Sequence, residues 1–271
     1  MSAEFSSADV LDDAGDLTAR LLAPWAGVVW LTVLPLRLLQ AQLLAVAIEL
    51  GARAGEHGDA LRGLGAAVAA AVLLAAWGRS VFVRACTLGL RHSEVPVREA
   101  LRVPAAALTA HFLLALLLEL MAWVFAITVL GAALAILLAG LAAAAANGQE
   151  KPGAGAAVSA LFAAFHPPAA VLGVAGAFLL AWVVAVINLG FLFHLGLWLA
   201  RAIPGAELSG WDPLLSLHNP RFVLVLLFGA WGALEPAWLA SWTSLVHRAR
   251  STETGEDLRL WLGRLRSEEA A

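Results

Sequence analysis

The sequence predicts an all-α integral membrane bundle of about six transmembrane helices with short interfacial amphipathic helices. Three observations carry that reading. Of the 271 residues, 61% are hydrophobic and only 14% charged, whereas a soluble domain carries about 25% charged residues. Mean hydropathy is +0.83. The apolar residues also run in stretches of roughly 20 or more, the length needed to cross hydrocarbon. A chain this apolar cannot cover itself with polar groups in water. That excludes a soluble enzyme, a DNA-binding domain and a secreted disulfide scaffold.

Residues 1–20 form an acidic tail, with Glu4, Asp9, Asp12, Asp13 and Asp16 against the single basic Arg20. A signal peptide needs a basic leader and a short apolar core, so the next stretch is read as a retained helix. The transmembrane domain covers 21–246. Its first span is 21–50, with Pro24 and Pro35 as kink points. The second is 61–90. Pro104 opens the third, 104–127, because proline suits a first helical turn. The chain then stays apolar to Ala146, too long for one span. A tight turn at 128–131 divides it, and the fourth span is 129–146. The fifth, 169–200, follows Pro167 and Pro168. The sixth is 222–246, and 247–271 is an amphipathic tail.

Three further segments look interfacial. In 93–102, Ser93 is a ready N-cap, and Arg98 and Arg102 stand one helical turn apart, aimed at lipid phosphates. In 156–165, Val158, Leu161, Phe162 and Phe165 form one stripe; the opposite face is small, so packing between helices fits equally well. In the tail, Thr254 can cap a helix that puts Leu258, Trp261, Leu262 and Leu265 on one face, with Arg259, Arg264 and Arg266 off it. That face suits a membrane surface or a partner protein.

Orientation follows the basic residues. With the N-terminus inside, the inner segments hold Arg20, Arg91, Arg98, Arg102, Lys151, Arg248, Arg250, Arg259, Arg264 and Arg266. The outer loops hold only Arg53, Arg62, Arg201 and Arg221. Both termini are therefore expected in the cytoplasm. Abundant Ala, Gly and Arg with a single lysine resembles high-GC bacterial coding, which points to a bacterial inner membrane.

Ionisable groups at membrane depth cost about 2.5–3.5 kcal/mol each on insertion scales, so they carry the most information. They are Arg37, Arg79, Arg84, His111, Glu119, His194 and Glu235. At about 1.5 Å per residue, Arg37 and Glu235 both fall near mid-helix, where they can tie the first span to the last. Pro236 removes a backbone donor beside Glu235. Glu119 is placed to reach Arg79. These groups form either a proton, ion or substrate path, or a set of ion pairs holding the bundle together. The structural reading is preferred, because pairing is expected even without transport. Of the eleven tryptophans, Trp25, Trp198, Trp211 and Trp242 fall near span ends, as an aromatic belt would. Trp77, Trp123 and Trp182 fall deeper, as packing would.

Catalytic patterns are missing. The sequence has no phosphate-cradling loop, no His-Glu-x-x-His and no nucleophile elbow. Cys86 is the only cysteine, so no cysteine-based zinc site can form. The seven histidines show no ligand spacing. No catalytic, cofactor or metal residue is expected, and a net charge of −3 gives no reason to expect nucleic acid.

The C-terminal third carries Trp211-Asp-Pro-Leu-Leu-Ser-Leu-His-Asn-Pro-Arg-Phe222, then Leu234-Glu235-Pro236, then Arg248-x-Arg250 with Gly255 and Asp257-Leu258. This resembles bacterial multi-pass membrane proteins of unknown function that are loosely similar to the membrane domain of glycerophosphodiester phosphodiesterases. The stretch from Arg84 to Leu101 is similar too. Ser251 and Thr252 after Arg250, and Thr254 between Glu253 and Gly255, depart from the pattern. The resemblance implies a six-helix membrane protein without the phosphodiesterase catalytic domain.

The expected function is a non-catalytic membrane scaffold or accessory subunit. It would be embedded in the bilayer and act with a membrane or cytoplasmic protein partner. The alternative is a small transporter or permease component using Arg37, Glu119 and Glu235.

Overall fold

A computed structural model describes residues 5–21, 25–50, 58–91, 95–124, 139–148, 154–166, 168–203 and 210–254. Among the described residues there is helix and no strand. In chain order the helices are α1 (Ser7–Leu21), α2 (Gly27–Leu50), α3 (Gly58–Arg91), α4 (Val97–Leu101) and α5 (Ala105–Val124). Then come α6 (residues 139–147), α7 (Ala154–Phe165), α8 (Pro168–Arg201), α9 (Trp211–Leu214) and α10 (Pro220–Thr254).

Four helices are long and apolar enough to cross a membrane, through Gly27–Val46, Arg62–Arg91, Pro168–Arg201 and Pro220–Ser251. This is the signature of a helical membrane protein. They coincide with the expected first, second, fifth and sixth spans. The expected third span is α5, whose described apolar stretch is Ala105–Leu117. Only 139–146 of the expected fourth is described, and the turn at 128–131 lies outside the described residues.

The chain divides into two compact units. The first comprises Met1–Gly27, Arg79–Gly176 and Pro236–Ala271. Its N-terminal end departs from the sequence expectation of a plain acidic tail, because α1 is an amphipathic helix. Ser6 and Asp9 form a reciprocal capping box. The Asp9 N–H donates to Ser6 Oγ at 3.3 Å, while the Ser6 N–H and hydroxyl each donate to Asp9 Oδ2 at 2.8 Å. Val10, Ala14, Leu17 and Leu21 then bury one stripe. Leu17 and Leu21 approach α3 at Gly89, and Ser7 approaches α8 at Gly173 so closely that a Cβ there would lie 2.5 Å from it. Asp13 meets Arg248 of α10 at 2.6 Å.

One surface segment also differs from expectation. The helix expected over 93–102 is reduced to α4, a single turn. Pro96 precedes it with an extended ψ of 112°, and Arg102 ends it at φ −81°, ψ 78°. Prolines at 96 and 104 bracket the turn, and the residue before each is steered out of the helical region. Arg98 and Arg102 therefore do not share a helical face; both are exposed. In α7 the small face is the packed one: Ala157, Ala160, Ala163 and Ala164 are buried, while Val158, Phe162 and Phe165 are exposed. Small residues let backbones approach closely, which is how helices associate in lipid. At the other end, α10 stays helical through Thr254. The tail from 255, including Trp261, lies outside the described residues.

The second unit comprises Val28–Gly78 and Ala177–Glu235. Here α2 packs on α3 where Gly78 faces Thr32; a Cβ at 78 would overlap the Thr32 side chain. It packs on α10 where Gly232 faces Leu34, with 2.7 Å from Leu34 Cδ2 to a Cβ built there. The Trp30 indole donates to the Ala233 carbonyl at 3.1 Å. From α8, the Trp182 indole donates to the Leu227 carbonyl at 3.0 Å, and Phe178 and Trp182 meet the Trp231 ring edge-on.

Candidate functional site

The strongest polar constellation lies in the second unit, between α2 and α10. Arg37 is 2% exposed and Glu235 is 2% exposed. The Arg37 guanidinium donates from Nη2 at 3.3 Å and from Nε at 3.4 Å to one carboxylate oxygen, Glu235 Oε2. Its Nη1 donates to Gln40 Oε1 at 2.8 Å. The Trp231 ring lies 5.9 Å from the guanidinium carbon, within cation–π range. Local sequence explains the convergence. Arg37 and Gln40 are three apart on α2, and Trp231 and Glu235 are four apart on α10, so each pair shares a helix face. Gly232 lets α2 come near enough for the two faces to meet, its Cβ position being 3.5 Å from Arg37 Cγ. The result is a buried cluster in which positive charge is held by a carboxylate, an amide and an aromatic face.

A second polar contact lies in the first unit. Ser80 Oγ of α3 and His111 Nδ1 of α5 are 2.8 Å apart, and both residues are fully buried. Hydroxyl and imidazole stand at the separation of a nucleophile and its base. Their complete burial suits a structural bond between two helices better than chemistry on a substrate.

Other expected residues scatter. Arg79, adjacent to Ser80, is buried at 1%. Arg84 is half-buried and directs Nε and Nη2 at the Glu99 carbonyl, each at 3.4 Å, so that it ties α3 to α4. Glu119 belongs to α5, but its side chain lies outside the described residues, and so does any approach to Arg79. His194 is exposed on α8 and bonds its own helix at the Gly190 carbonyl, 2.8 Å away. Trp242 is 2% exposed. It stacks edge-on with Trp238, and the two rings close over Gly140, whose Cβ position is 2.7 Å from each. Trp231 and Ser80 were not anticipated from sequence. The four-residue spacing of Trp231 to Glu235 was an available signal; Ser80 had none beyond its place beside Arg79.

Among the described residues, no three or more His, Cys, Asp or Glu side chains gather as metal ligands. Outside the membrane-spanning segments, Asp9 has a shifted acidity. The Ser6 backbone N–H, and then the Ser6 hydroxyl, hold its carboxyl below the ordinary value of 3.8. Comparison with protein-family models, with curated proteins and with solved structures returns no match.

Proposed function

We propose that the chain is a multi-pass protein of a bacterial cytoplasmic membrane, with six spans and both termini inside. It has no catalytic chemistry of its own and serves as a scaffold or accessory subunit for a protein partner. One observation carries the reading: the Arg37 charge is buried and held by Glu235, Gln40 and the Trp231 ring. A transport pathway needs a charge that can exchange partners with a passing ion or proton. Here the charge is held from three sides at 2% exposure. The resemblance of the C-terminal third to bacterial multi-pass proteins supports the membrane setting. The amphipathic tail and the exposed Arg98 and Arg102 supply cytoplasmic surfaces for lipid headgroups and a partner.

The test is reconstitution of the purified protein in sealed vesicles carrying an internal pH-sensitive dye, with an imposed proton or sodium gradient. The scaffold reading expects dissipation equal to that of empty vesicles. Dissipation that requires the protein and is abolished by Glu235→Gln would overturn it in favour of a small transporter.

A further inference from the structure

Helix α1 touches three long helices, and the order of those contacts along it is informative. Ser7, in its first turn, lies against α8 at Gly173. Asp13, near its middle, bridges to Arg248 of α10. Leu17 and Leu21, in its last turns, lie against α3 at Gly89. At about 1.5 Å per residue, Ser7 to Asp13 spans about 9 Å, and Asp13 to the middle of the leucine pair about 9 Å again. Packed helices stand about 8–10 Å apart. Helix α1 therefore crosses α8, α10 and α3 in turn, one helix per contact, instead of running along any of them. Each contact falls near a helix end: Gly173 is five residues after Pro168, Arg248 six before Thr254 and Gly89 two before Arg91. All of these residues belong to the first unit.

Two features let α1 stand apart from the helices beneath it. Its first turn is satisfied internally, by the Ser6–Asp9 capping box. Its outer face carries Asp9, Asp12 and Asp16, all exposed, so it stays wettable when lifted. Its described attachments are the stripe of Val10, Ala14, Leu17 and Leu21 and an ion pair a third exposed on each side. A segment held so lightly opens at a smaller cost than the core. The platform it covers is assembled from residues 89, 173 and 248, which lie far apart in the chain, and α10 is the last of the three helices to be synthesised. Docking of α1 therefore requires the finished arrangement. We infer that α1 is a latch that closes across the ends of α3, α8 and α10 once these are together, and that reopens without unfolding them. The contacts are the same whatever surrounds the long helices, so this inference stands apart from the membrane reading.

The test is the rate of maleimide labelling of the full chain in detergent micelles, in a Cys86→Ala background that removes the only cysteine. Leu17→Cys reports α1, because Leu17 is fully buried while the latch is closed. Val81→Cys reports α3, because Val81 is also fully buried and lies eight residues before the Gly89 contact. Both should label at least about tenfold more slowly than the exposed Asp12→Cys. Arg248→Glu opposes two carboxylates and should speed Leu17→Cys at least about fivefold, leaving Val81→Cys within about twofold. Asp13→Arg together with Arg248→Glu restores the pair with its signs exchanged and should bring Leu17→Cys back to within about twofold of the parent. Gly173→Leu drives a wedge under Ser7 at the other end of α1. It too should speed Leu17→Cys and spare Val81→Cys. The inference fails if Leu17→Cys labels as fast as Asp12→Cys in the parent, or if neither Arg248→Glu nor Gly173→Leu speeds it. It fails equally if the exchanged pair does not restore protection, or if Leu17→Cys and Val81→Cys speed up together, since α1 would then be inseparable from the core.

Discussion

Replacing Arg37 and Glu235 by leucine, singly and together, tests the central cluster most directly. At the observed 3.3 Å, two unit charges attract by about 5 kcal/mol at an effective dielectric of about 20. That gross attraction is offset by desolvation, so the single variants are more informative than the sum. Two guanidinium contacts fall on Glu235 Oε2 at 3.3 and 3.4 Å, longer than the about 2.7–2.9 Å usual for charge-assisted bonds. Removing either partner still strands a charge at 2% exposure, and breaking a buried pair costs about 3–5 kcal/mol. The double variant strands no charge, but it takes the 2.8 Å donor from Gln40. A loss of about 1–3 kcal/mol should remain, and adding Gln40→Leu should recover it.

The assay is reversible unfolding in mixed micelles or bicelles, read as a double-mutant cycle. The expected coupling is about 3 kcal/mol or more, since the double variant falls far short of the two singles combined. Losses that add to within about 0.5 kcal/mol would mean that the two charges act independently. The reasoning from their contact would then be wrong.

Three further outcomes follow from the packing. Gly78→Ala should destabilise by about 1–3 kcal/mol because its Cβ overlaps Thr32, whereas Gly63→Ala, with open space around it, should gain up to about 1 kcal/mol from helix propensity in the same unfolding assay. Asp13→Asn should loosen α1 by about 0.5–1 kcal/mol at low salt and by less at 1 M salt, because the bridge to Arg248 is a third exposed on each side; cysteine accessibility at Leu17→Cys, in the Cys86→Ala background, reports it. The Asp9 carboxyl is held below 3.8 by Ser6, so its contribution to the α1 cap is present at neutral pH and lost as pH falls through the lowered value; a spin label at Asp12→Cys should gain mobility over that window in the parent and show no such step in Asp9→Asn.

What sequence revealed and what it hid follow from how each feature is encoded. The long helices were legible because an uninterrupted apolar run must be satisfied inside one helix in lipid. The Arg37–Glu235 contact was legible because a fixed rise per residue converts position into depth. Helix α1 was obscured by its acidic composition. Its stripe of Val10, Ala14, Leu17 and Leu21 contains a small residue and sits among five carboxylates, although Ser6-x-x-Asp9 was a readable start signal. The extent of α4 was obscured because the Ser93 cap signal and the Arg98–Arg102 spacing suggested a longer helix where Pro96 and Pro104 leave space for one turn. Ser80 and His111 are 31 residues apart on separate helices. Their meeting depends on helix rotation, which one sequence does not specify.

Tryptophan use in the second unit bears on how the cluster there holds its charge. Indole is a donor without an acceptor, and the helix backbone offers only carbonyls to a lateral neighbour. Trp30 and Trp182 each use this match, reaching the Ala233 and Leu227 carbonyls of α10 from opposite partners, α2 and α8. Trp231 lies between those two anchors, its ring fixed at the edge by Phe178 and Trp182 and turned toward Arg37. Gly232, the next residue, holds the Leu34 side of α2 close. A guanidinium that changed partners would have to displace the Trp231 ring, lose Gln40 and reopen the α2–α10 contact together. Each of those steps breaks packing or a buried hydrogen bond. The arrangement therefore favours one position for the charge, as expected of a fastening between helices.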